Sequence, residues 1–203
     1  MLWERLRHPN LLTLHQIYLE EGTWILLMDH LDGYVDLFDY ISKTGPLTEP
    51  DTKHVISQLV QTTCYLFFSK VDHRDIKDEN LLYNPLTKQI KLIDFGSASR
   101  LPAPGIRYTK FQGTEVYVPP EYYRHGSYSP LFAATWAIGC LTFVLLNGNI
   151  PFANKEAVKG HREVKFLRTD LGKEAQKFIR DLLVEEERRM SPAEILQHPW
   201  IRQ

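Results

Sequence analysis

Two short polar runs constrain the fold more than anything else in these 203 residues: His73-Arg74-Asp75-Ile76-Lys77-Asp78-Glu79-Asn80, and Asp94-Phe95-Gly96, which begins fourteen residues after Asn80. Between them Ile90-Lys91-Leu92-Ile93 reads as an apolar strand leading into Asp94. Asn80 and Asp94 offer hard oxygen donors of the kind Mg2+ prefers. That ion keeps waters and substrate phosphates in its octahedron, so one amide and one carboxylate suffice to hold it. Asp75 precedes Asn80 by five residues, which lets one loop turn its carboxylate toward a hydroxyl while the amide faces a metal. Taken singly, the first run is also compatible with a surface charge cluster and the second with an ordinary turn whose glycine sits at positive φ. Together and in this order, the two runs define a chemistry.

In that arrangement they resemble the catalytic loop and the DFG motif of protein kinases. The resemblance implies ATP and Mg2+ as cofactors, Asp75 as acceptor of the substrate hydroxyl proton, Asn80 and Asp94 as metal ligands, and Lys77 against the γ-phosphate. A lysine two residues after the catalytic Asp is the serine/threonine pattern. By the same resemblance Thr114, after Gly113, contacts Asp75 and helps select a hydroxyl amino acid. Met28 takes the gatekeeper position, and Asp29, His30 and Leu31 form the hinge whose backbone meets adenine. Residues 94–121 become the activation segment, closed by Pro119-Pro120-Glu121, with Glu121 paired to Arg189. Tyr108 and Thr109 become candidate phosphorylation sites, because a phosphate there would pair with Arg74.

Composition narrows the partners. A net charge of −1, with basic residues scattered, gives no footprint for nucleic acid or an anionic membrane. The 43% hydrophobic and 24% charged content is ordinary for one compact domain. Cys64 and Cys140 both lie in apolar helical contexts and read as two buried thiols in a reducing compartment, which implies a cytoplasmic protein with the nucleus also open to it. The longest apolar stretch, around Leu141 to Leu146, reads as too short to span a bilayer.

Along the chain, Leu12 to Tyr18 and Thr23 to Met28 read as two strands joined at Glu20-Glu21-Gly22 and apolar enough to be a buried pair. Pro50 to about Lys70 carries a helical apolar face. Leu131 to Leu146 reads as a helix buried on most sides, Ala175 to Leu183 as a third, and Pro192 to Leu196 as a last one. Asp94 to Glu121 has little periodicity and reads as a long loop, which in compact domains is usually functional.

Asp78-Glu79-Asn80, Pro119-Pro120-Glu121 and Ala133-Ala134-Thr135-Trp136 resemble the Pim kinases, with the PAS-domain kinases next nearest. Most kinases place an Asp where Ala134 stands; Pim kinases share the Ala. Leu31 departs from the Pim hinge, which has a proline there. The resemblance further implies that Asp36, Asp39 and Glu79 meet basic groups of Arg-rich protein substrates, since carboxylates accept the guanidinium fork bidentately. The alternative for Asp36 and Asp39 is that they favour the start of a short helix.

The fold expected is α+β and kinase-like: a mainly α-helical C-lobe at 36–203, a hinge at 29–35, and a remnant of the N-lobe sheet at 1–28, in a monomer. His8-Pro9-Asn10 matches the turn after the small lobe's regulatory helix, so the glycine-rich loop, strand lysine and helix glutamate are expected upstream of Met1. Glu4, Lys53 and Lys70 do not fit those roles. Two functions follow: a serine/threonine kinase of which these residues are a fragment, or a truncated binding module that keeps the peptide groove with little turnover.

Overall fold

A computed structural model describes residues 3–160 and 163–202. The chain opens with a 3-10 turn, Trp3–Arg5, and a hairpin of β1 (Leu14–Glu20) and β2 (Thr23–Met28). A short strand β3 (Val35–Asp36) leads into helix α1 (Leu37–Thr44) and the long helix α2 (Glu49–Phe68). Three more short strands follow, β4 (Val71–Asp72), β5 (Leu81–Tyr83) and β6 (Ile90–Leu92), and then β7 (Ser99–Arg100). The rest is helical: α3 (Pro120–His125), α4 (Pro130–Asn147), α5 (Lys155–Lys159), α6 (Lys173–Leu182), α7 (Pro192–Ile195) and α8 (Pro199–Arg202). The architecture is the expected α+β one, a helical body carrying small antiparallel sheets.

Local chemistry sets the helix boundaries. Thr48 accepts from the Asp51 N–H to cap α2, and Ser191 with Glu194 forms a reciprocal capping box on α7. Gly148, at φ 74°, closes α4 in the left-handed conformation that glycine adopts without a Cβ penalty.

At the centre lies α4, with Trp136, Ile138, Leu141, Leu145 and Leu146 fully buried. By length and composition this 18-residue helix is apolar enough to cross a membrane, contrary to the sequence expectation that the stretch is too short. What identifies it as a core helix is that 83% of it is buried against the rest of the domain. Against it packs α6, close enough that a Cβ on Gly139 would lie 2.8 Å from Leu182 Cβ and 2.9 Å from Leu183 Cδ2. Gly139→Ala is therefore expected to force α4 and α6 apart and lower stability by about 1–3 kcal/mol, read as a reduced denaturant midpoint with unchanged slope.

The hairpin departs from its reading. Every residue of β2 is exposed, and in β1 only Leu14 is buried, so the two strands are not a buried pair. The sheet is two-stranded and only its root packs on the body, which leaves Trp24, Ile25, Leu26 and Leu27 facing out. Cys140 is buried as expected, whereas Cys64 is only half-buried. Both thiols are free, and burial raises the pKa of each.

The turn His8-Pro9-Asn10 is tied into the body. The Asn10 amide donates to Gln58 Oε1 at 2.8 Å and to Ile90 O at 3.0 Å, while Leu92 N–H donates to Asn10 O at 2.8 Å. That anchors the 8–10 turn to β6, the strand that delivers Asp94.

Candidate active site

Strand β4 is buried and ends at the 73–80 loop; β5 and β6 pair antiparallel, Leu81 opposite Leu92, and so bring Asn80 beside the residues that precede Asp94. Two backbone contacts complete this. Ile93 N–H donates to Asn80 O at 3.0 Å, and the buried His73 bonds through Nε2 to Ile93 O at 2.9 Å. Burial lowers the His73 pKa, so the ring is held neutral and its Nε2–H is the donor. Arg74 at φ 67° and Asp94 at φ 60° sit in the left-handed region, where a non-glycine residue costs about 1–3 kcal/mol, strain that characteristically gathers at functional sites. Phe95 is held between Trp3, stacked at 5.1 Å, and His73, edge-on at 5.0 Å.

Three of the residues singled out in the sequence, Thr114, Asn80 and Lys77, meet around the carboxylate of a fourth, Asp75. Asp75 Oδ1 accepts from Thr114 Oγ1 at 2.8 Å, and Asp75 Oδ2 accepts from Asn80 Nδ2 at 3.0 Å. Lys77 Nζ lies 3.4 Å from the same Oδ2 and donates to Thr114 Oγ1 at 2.8 Å. Asp75 and Lys77 are both largely enclosed, so these charge-assisted contacts act in a reduced dielectric. Thr114 depends on its neighbour: Gly113 has φ 120°, and a Cβ there would fall 2.4 Å from Arg74 O. Only glycine lets the two loops approach this closely.

Asn80 turns its amide nitrogen to Asp75, which leaves the amide oxygen as the group that can face a cation. Asp94 uses Oδ1 to accept the Gly96 N–H at 2.9 Å. Among the described residues no three His, Cys, Asp or Glu side chains converge; the hard donors at this point are the Asn80 amide oxygen and the Asp94 carboxylate.

Arg74 spans the site. Its Nη1 donates to Gln112 Oε1 at 2.6 Å, its Nη2 to Lys110 O at 3.0 Å and Tyr128 Oη at 3.2 Å, and the guanidinium lies 4.3 Å over the Tyr108 ring. Its Nε is buried without a partner among the described residues, beside a cavity of about 30 Å³ lined by Asp72, Arg74, Tyr128 and Ala134. Desolvation pushes the Asp72 carboxyl up to about 7 despite the nearby Arg74. Asp78, one residue after Lys77, is also buried. It accepts from Tyr117 Oη at 3.2 Å, and its carboxyl is pushed up to about 6, chiefly by desolvation and then by Glu79.

Glu121 and Arg189 meet as expected, in a fully enclosed bidentate pair with N–O distances of 2.9 and 3.0 Å. A family model described as the protein kinase domain matches residues 1–201. The chain belongs to the protein kinase family. Death-associated protein kinase 2 of Mus musculus is 35% identical over 96% of the chain and 55% of its own length. Serine/threonine-protein kinase prk-2 of Caenorhabditis elegans is 34% identical over 89% of the chain and 41% of its own length. Serine/threonine-protein kinase cds1 of Schizosaccharomyces pombe is 31% identical over 96% and 45%. The chain spans about half the length of the curated relatives it matches.

In kinase terms the segment 94–121 is more structured than a long loop. It contains the 3-10 turns Phe95–Ser97 and Glu115–Tyr117, strand β7 paired to β4, and a bridge between Tyr108 and Tyr128. Thr109 is exposed beside these contacts. At the hinge positions, Asp29 N–H is already given to Thr13 O at 3.1 Å, and the Asp29 carboxylate takes Thr13 N–H and His15 Nε2. The Asp29 N–H is thus committed to the root of the hairpin. His30 is exposed beside Asp32, Met28 is exposed, and Leu31 packs partly on the core.

Of the acidic trio, Asp36 accepts the Asp39 N–H at 3.1 Å as the cap of α1, the helix-start role that was its alternative. Asp39 lies 3.7 Å from Lys43, and Glu79 lies 4.0 Å from Lys77. Asp78 was not legible as a site residue: it lies inside the motif, and its burial was the missing information.

Proposed function

We propose that the chain is the catalytic lobe of an ATP-dependent serine/threonine protein kinase of Pim-like type, transferring the γ-phosphoryl group to Ser or Thr of protein substrates. The observation that carries this is the convergence of Thr114, Asn80 and Lys77 on Asp75. In this reading Asp75 holds the substrate hydroxyl and takes its proton, Lys77 faces the phosphate being transferred, and Thr114 fixes both. Asn80 and Asp94 hold Mg2+, which when bound offsets the phosphate charge. Residues 1–28 belong to the small lobe, 29–35 to the hinge and 36–203 to the large lobe.

A preference for Arg-rich substrates is supported by charge and shape. A groove of about 250 Å³ runs from Thr114 past Asp78 and Glu79 to Phe38 and Ser42 of α1. Glu79 lines that groove and Asp39 follows Phe38 on α1; both are exposed and can accept a guanidinium in place of their weak lysine contacts. The test is phosphotransfer from γ-labelled ATP to serine peptides with and without upstream arginines. Label transfer that depends on Mg2+ and favours the arginine peptides is expected. Glu79→Gln is expected to raise the KM of the arginine peptide and leave that of the plain peptide unchanged. Equal use of both peptides overturns the substrate preference, and no transfer by the full-length protein above its Asp75→Asn control overturns the enzyme reading in favour of a binding module.

A further inference from the structure

Between Leu101 and Tyr108 the activation segment stands away from the domain. Leu101 N–H is held by Lys70 O at 2.9 Å, and Tyr108 exchanges backbone hydrogen bonds with Tyr128 at 3.0 Å. Residues 103–107 between them are exposed, and a groove of about 700 Å³, lined by Phe67, Pro102, Ile106, Leu131 and Phe132, lies under them. Apolar packing does not fix this stretch.

One ion pair does. Arg107 Nη1 and Nη2 donate to Glu186 Oε1 and Oε2 at 2.9 and 2.6 Å, and its Nε and Nη2 donate to Ser127 Oγ and Ser127 O at 3.2 Å each. Glu186 also accepts the Ser129 N–H at 3.3 Å and is almost enclosed, at 10% side-chain exposure. A bidentate fork to an enclosed carboxylate is among the stronger polar contacts a surface segment can make. It closes a separation of 79 residues and complements the segment's other charged rivet, Arg189 on Glu121.

We propose that Arg107, through Glu186, is a positioning residue that latches the activation segment in register, so that Tyr108 meets Tyr128, Arg74 reaches Lys110 O and Gln112, and Thr114 arrives at Asp75. The latch uses no phosphate: Arg74 already has neutral acceptors on the segment, and a phosphate on Thr109 would add to an order that Arg107 has set. The proposal rests on reading residues 94–121 as the activation segment of a kinase.

Hydrogen exchange on the unphosphorylated chain tests it, followed by mass for residues 101–113 and, as an internal reference, for α4. Arg107→Ala and Glu186→Gln are expected to speed exchange of 101–113 roughly ten- to a hundredfold, the factor charge-assisted hydrogen bonds carry, with Arg107→Lys between them and the native chain. Exchange in α4 should stay unchanged. Native-like exchange of 101–113 in Arg107→Ala overturns the latch, and so does a parallel rise in α4, which would make the pair a general prop of the fold. With a serine peptide, Arg107→Ala is expected to lower kcat/KM severalfold, because Thr114 no longer arrives at Asp75, with Arg107→Lys again intermediate; an unchanged kcat/KM also overturns the proposal. Absence of phosphotransfer by the full-length protein sinks the activity reading, while the exchange result still decides the latch.

Discussion

Arg189→Ala is expected to destabilise the domain by about 3–5 kcal/mol, because it leaves the Glu121 carboxylate buried and unpaired. The guanidinium of Arg189 makes five hydrogen bonds: two to Glu121, two to Val184 O and one to Phe132 O. It also lies 4.9 Å from the Trp136 ring, so it joins α3, α4 and the loop after α6 at one point. Equilibrium denaturation in urea measures the effect. The double variant Arg189→Met/Glu121→Leu should recover part of the loss, since removing both charges leaves no orphan. Additive losses from the two sites would mean that they do not act as a pair.

Asp75→Asn is the second large effect. The amide cannot accept a proton in the transition state, and its nitrogen would face the Asn80 amide nitrogen or the Thr114 hydroxyl in place of an acceptor. Phosphotransfer should fall by about 10²–10⁴-fold with the KM for ATP little changed. Stability should change little, because Thr114 and Lys77 keep each other as partners. An unaltered rate would remove Asp75 from the chemistry.

The sequence made the site's chemistry legible before its geometry. Asp75, Lys77, Asn80 and Asp94 lie in two short runs, and one antiparallel hairpin, β5–β6, is enough to bring the runs together. The helices were legible for a different reason: α2, α4 and α6 carry apolar residues over enough turns to mark a buried helix. Burial of the β1–β2 hairpin was misread, because a run such as Trp24-Ile25-Leu26-Leu27 reports that a strand can be buried, not that a partner covers it. Strands β3, β4 and β7 have two residues each and carry no periodic signal. Arg107 and Glu186 were invisible for a third reason: they lie 79 residues apart, and nothing local distinguishes either from a solvated surface charge.

Calorimetric titration of the chain with ATP, with and without Mg2+, tests most directly whether Asp94 and Asn80 form a metal-nucleotide site. The expected result is binding that requires Mg2+, is lost in Asp94→Asn, and persists in Asp75→Asn. Binding that ignores both Mg2+ and Asp94→Asn would contradict the account.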